Sequence, residues 1–109
     1  MNITTVGIDL AKEIITVYAQ DVQGRCVMSR NFKFKELAEW LVQLPEGCLV
    51  GMEACSSAHY WGRRMQVMGL QPRLMAAEFV QAFRKSKSAK NDHNDAEAIA
   101  IAVRQPTMR

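Results

Sequence analysis

At 109 residues, 49% apolar and 23% charged, the chain has the size and balance of one globular domain with a modest core, which excludes disordered, fibrous and low-complexity classes. No apolar run approaches the roughly 18 residues that a membrane span needs, and no basic segment followed by an apolar one opens the chain, so a cytoplasmic setting without a membrane partner is expected. The net charge of +3 hides an asymmetry: residues 1–59 carry five Lys/Arg against seven Asp/Glu, and residues 60–109 carry nine against four.

In chain order, Ile3 to Ile8 is a β-rich run leading into Asp9, and Ile14 to Ala19 is a second, joined to the first as a hairpin through Leu10 to Glu13. Asp21-Val22-Gln23-Gly24 is a turn signal and Cys26 to Phe32 a third strand, so the opening is an antiparallel meander. The period then changes. Leu37, Ala38, Trp40, Leu41 and Leu44 fall at spacings of three and four after Lys35, an amphipathic helix that Pro45 and Gly47 end. Cys48 to Met52 is a short continuous apolar run, suited to a buried strand entered from a helical crossover, and it delivers Glu53 at its end.

Ser56 or Ser57 is placed to cap the next helix, on which Tyr60, Trp61, Arg64, Met65 and Met68 share a side before Gly69 stops it. Leu70 to Met75 makes a fifth strand, and Ala77 to Phe83 begins a further helical segment. The class is therefore α/β, a mixed sheet of about five strands, the first three antiparallel, with flanking helices. Tyr60, Trp61 and Phe83 have the helical spacing of core residues. Cys26 and Cys48 sit in strand-like apolar runs, where cysteine packs as a small hydrophobe. With Cys55 the count is odd and lacks CxxC spacing, so neither a disulfide nor a zinc site is expected.

The chemistry concentrates at strand ends and in the basic half. Asp9 and Glu53 each close a strand; if those strands are parallel neighbours, both carboxylates emerge at the sheet edge where α/β folds place ligand sites. Arg84, Lys85, Lys87 and Lys90 form a cationic run suited to a phosphate backbone. Directly after it, Asp92 and Asp95 open a helix marked by Ile99, Ala100 and Val103. Aspartates there satisfy free N–H groups at a helix start, which is their ordinary use. Gathering them with Asp9 and Glu53 would instead be costly, since like charges about 4 Å apart repel by roughly 4 kcal/mol at an effective dielectric near 20. A hard divalent cation such as Mg²⁺ or Mn²⁺ would offset that cost.

Three stretches in order carry a resemblance: Val6-Gly7-Ile8-Asp9-Leu10-Ala11-Lys12, then Gly51-Met52-Glu53-Ala54-Cys55 with Tyr60-Trp61 behind it, then Lys90-Asn91-Asp92-His93-Asn94-Asp95-Ala96. Together they resemble the N-terminal RuvC-like domain of the DEDD transposases, recombinases of insertion sequences, over nearly the whole chain. The resemblance implies a ribonuclease H-like fold and a catalytic, metal-holding tetrad of Asp9, Glu53, Asp92 and Asp95 that sets Mg²⁺ or Mn²⁺ against a DNA phosphodiester. Lys12 matches a lysine common in the family, read as a phosphate contact. Cys55 and Ser56 stand where the family more often has Thr and Gly, and Asn91 and Asn94 replace commoner neighbours of the aspartates; none of these changes removes a carboxylate.

The resemblance further implies that residues 1–109 are the catalytic domain at the start of a longer transposase, whose second domain carries a serine nucleophile. Its partners would be DNA, further copies of itself in an oligomer acting on two DNAs and, for some members, a structured RNA guide. The alternatives are a RuvC-like junction resolvase or nuclease and a catalytically incomplete nucleic-acid-binding module.

Overall fold

A computed structural model describes residues 2–11, 13–84 and 92–105, with the backbone alone for 92–94. Strand β1 (Thr5–Leu10) pairs antiparallel with β2 (Ile15–Gln20), which pairs antiparallel with β3 (Cys26–Phe32). On its other side β1 runs parallel to β4 (Leu49–Glu53), and β4 parallel to β5 (Gln71–Met75), giving the order β3-β2-β1-β4-β5. Helix α1 (Phe34–Leu41) makes the crossover from β3 to β4 and α2 (Ser56–Val67) that from β4 to β5. A short α3 (Ala77–Gln81) follows β5, and α4 (Asp92–Val103) is the last described element. This is the mixed five-stranded sheet expected, consistent with a ribonuclease H-like fold. Among the described residues no helix is long and apolar enough to cross a membrane.

Strand alternation divides the core in two. Val6 and Ile8 of β1 and Val50 and Met52 of β4 face one side, packing with Leu37 and Leu41 of α1 and Trp61 and Met65 of α2. On the other side Leu49 and Met75 join Val80 and the α4 residues Ala98, Ile99, Ala102 and Val103. Gly7 and Gly51 belong to this second face. A Cβ on Gly7 would come within 2.5 Å of the Ala100 backbone nitrogen and closer still to the Ala96 carbonyl oxygen; one on Gly51 would meet Val103 Cβ at 2.7 Å. The missing side chains let the helix lie almost on the strand backbones.

Several local expectations are corrected. The residue before α2 is Cys55, in extended conformation with no side-chain cap bond, so neither Ser56 nor Ser57 caps the helix; both are its first residues. Cys26 is exposed, because β3 is an edge strand whose side chains are mostly open to water, whereas Cys48 is buried as expected. Trp61 is fully buried, but Tyr60 is 40% exposed, stacked on exposed Phe34, and Phe83 is half-buried against Phe79.

Candidate active site

The register places the first two carboxylates. Ile8 is paired with Met52 across the parallel strands, so Asp9 and Glu53, the next residue in each, stand side by side at the carboxyl edge, where neighbouring strands lie about 5 Å apart. Both follow a glycine by two positions, so both belong to the α4 face of the sheet. Asp9 is partly buried and carries an interaction with the surrounding protein.

Helix α4 delivers the third. Arg104, just beyond its end, donates from Nη1 to Gln20 Oε1 at 3.4 Å and from Nη2 to the Val22 carbonyl at 3.3 Å. Gln20 pairs with Thr5 at the start of β1, so α4 runs antiparallel to β1 and brings its first turn back to the carboxyl edge. Asp95 precedes Ala96, whose carbonyl overlies Gly7, and so stands above the edge that Asp9 and Glu53 occupy.

A single cation ties the strand to the helix. The Arg84 Nε donates to Asp95 Oδ1 at 2.8 Å and its Nη2 to Glu53 Oε1 at 3.1 Å, with the three side chains between 23% and 28% exposed. Such forked, charge-assisted bonds in a part-buried setting fix both partners. Beside them Tyr18, opposite Gly7 in the register, donates its hydroxyl to Glu97 Oε2 at 3.3 Å; burial, followed by the neighbouring Cys26 and Glu97, pushes the phenol well above its usual range. The engagement of Arg84, the Tyr18–Glu97 bond and the exposure of Tyr60 were all missed from sequence. The first two join residues far apart in the chain, with no local pattern to mark them.

Of the expected tetrad, the structure thus brings Glu53 and Asp95 together through Arg84 and sets Asp9 beside Glu53 in the register. Asp92 begins α4, but its side chain lies outside the described residues, as do Lys12, Lys85, Lys87 and Lys90 entirely. Among the described residues no three His, Cys, Asp or Glu side chains form a group that could hold a metal ion. The donor chemistry of the assembled edge nevertheless fits Mg²⁺ or Mn²⁺: every candidate is a hard oxygen donor, and a cation, the guanidinium, already stands between two of them.

Comparison with known proteins gives the family. A transposase family model, that of the DEDD transposases of the IS110 type, matches residues 6–109. A protein of Pseudomonas aeruginosa described as a probable family 20 transposase is 42% identical over the whole chain, which covers 31% of that relative. The transposase for insertion sequence element IS1328 of Yersinia enterocolitica is 37% identical over 98% of the chain and 31% of its own length. The transposase for insertion sequence element IS1111A of Coxiella burnetii is 35% identical over 99% of the chain and 29% of its own length. The chain therefore spans about a third of the length of these curated relatives.

Proposed function

Because the chain belongs to the DEDD transposase family, we propose that it is the carboxylate-bearing catalytic domain with which a longer recombinase acts on DNA phosphodiesters during transposition. The observation that supports this best is the meeting of Glu53 and Asp95 on one guanidinium, at the edge where Asp9 stands next to last in β1. Carboxylates drawn from separate elements meet there with a cation, Arg84, offsetting their repulsion, which supports an edge suited to positive charge.

Asp9, Glu53, Asp92 and Asp95 would hold Mg²⁺ or Mn²⁺. When bound, such an ion supplies Lewis-acid polarisation of a phosphoryl oxygen and stabilises charge on the leaving oxygen. The protein's own contribution is positional. β1 and β4 fix Asp9 and Glu53 on a rigid edge, and α4 presents Asp92 and Asp95 in its first turn, beside free N–H groups that favour anions. Lys12, Lys85, Lys87 and Lys90 would contact the DNA backbone, joined by Arg84 when it is released from its carboxylates. A serine nucleophile on another domain, an oligomer and a guide RNA belong to the same proposal for the longer protein.

Thermal melts test the site without a DNA substrate. With a dissociation constant on the order of 1 mM, about 10 mM Mg²⁺ should stabilise the chain by RT ln 11, near 1.4 kcal/mol. For a domain of this size that is a rise of several degrees, at about 4–8 °C per kcal/mol. Asp9→Asn should lose most of the rise and should melt higher than wild type in EDTA, because it relieves repulsion. No Mg²⁺-specific rise at matched ionic strength, together with no gain for Asp9→Asn in EDTA, would sink the reading.

A further inference from the structure

Arg84 is singled out by where its charge goes. Of the four cations between residues 84 and 90, it is the one within the described residues, and its guanidinium is spent on two carboxylates, Glu53 at 3.1 Å and Asp95 at 2.8 Å. Its backbone ends a turn after α3, its N–H donating to the Gln81 carbonyl at 3.2 Å, and neighbouring Phe83 packs against Phe79. The backbone is thus anchored, while the guanidinium sits at the end of a long flexible stem and is partly open to water. It can leave the carboxylates by rotation of its own side chain, without undoing α3, α4 or the sheet.

A guanidinium and a divalent ion compete for this pair of carboxylates. The atoms that receive the two hydrogen bonds, Glu53 Oε1 and Asp95 Oδ1, are hard donors of the kind the ion requires, and like charges at that range repel strongly. Resting on the proposed metal-binding reading, we infer that Arg84 is a built-in counter-cation: its guanidinium holds Glu53 and Asp95 together in the metal-free protein and is expelled from between them when a divalent ion binds. It is a positioning residue. It keeps β4 and α4 joined at the edge while no ion neutralises them, and it sets a threshold that the ion must exceed to enter.

The test uses this chain, calorimetric titration with Mn²⁺ and NMR observation of the Arg84 Nε–H during titration with Mg²⁺, the resonance being assigned by its loss in Arg84→Lys. Calorimetry of the wild type comes first: no Mn²⁺ binding there overturns the metal reading itself, before any Arg84 variant is considered. With binding established, Arg84→Met should bind Mn²⁺ more tightly, on the order of tenfold, because a competing charge is gone. The same variant should melt lower than wild type in EDTA and regain the difference at saturating Mg²⁺. In the wild type, the Arg84 Nε–H should shift and exchange faster with water as Mg²⁺ saturates. Unchanged or weaker Mn²⁺ binding by Arg84→Met, or an Nε–H resonance unmoved at saturation, would overturn the exchange while leaving the metal site standing. Should Arg84→Met fail to fold, the wild-type resonance decides alone.

Discussion

At Cys48, burial leaves the side chain 4% exposed and pushes the thiol from its ordinary 9.0 up to about 11, because a thiolate there would lose its water. Cys26 and Cys55 are exposed, so at pH 8 an aromatic disulfide reagent should consume two thiols quickly and the third only after unfolding. Three fast equivalents would refute this. The raised value also fixes a sign: between 9.0 and about 11 the unfolded chain releases the Cys48 proton while the folded chain keeps it, so stability falls as pH rises through that window. At this scale the sequence was informative where a residue's role follows from its place in an element. Asp9 and Glu53 could be read as strand ends and Asp95 as a helix opener. Arg84 could not be told from Lys85, Lys87 and Lys90, since its partners lie 31 and 11 positions away and no local pattern marks them. Cys26 was misjudged because an apolar run does not disclose that its strand is an edge.

Among the elements, the contact of α4 with β1 and β4 is the one most exposed to substitution. Gly7→Ala forces a methyl group into the backbone of Ala96 and Ala100, which cannot yield as a side-chain tip would, and should cost about 3 kcal/mol in denaturant unfolding. Gly62→Ala is the control. Gly62 is inside α2, and an added Cβ would find its nearest neighbour, Leu74 Cδ1, at an ordinary 3.6 Å. That substitution should stabilise by about 0.5–1 kcal/mol through helix propensity. Similar losses at both glycines would mean that close helix docking is not what Gly7 permits. Most of the elements were legible because α1 presents one apolar side and the strands are short β-rich or continuous apolar runs. Helix α4 was legible as a helix but not as a packing partner: Ala96, Ala98, Ile99, Ala100, Ala102 and Val103 are all buried, so no single stripe tells which side meets the sheet.

For the molecule as a whole, the uneven charge leads to a salt-dependence prediction. If the second half tracks a nucleic-acid backbone, replacing Lys85, Lys87 and Lys90 together by Gln should flatten the dependence of log K on log salt by about 0.9 for each duplex phosphate that is no longer neutralised, without altering sequence preference. An unchanged slope would remove these lysines from the interface. The antiparallel start of the sheet was readable from the hairpin and the turn signal, whereas the parallel pairing of β1 with β4 stood only as a condition and the descent of α4 across β1 was not foreseen, because these contacts join segments far apart in the sequence. This closure also has a temporal side. Asp9 and Asp95 are 86 positions apart (95 − 9), and at roughly 5–20 residues per second a ribosome takes about 4–17 s to make the second after the first. Throughout that interval the Gly7 and Gly51 face of the nascent sheet lacks the helix that covers it, and Glu53 has no Asp95 with which to share Arg84.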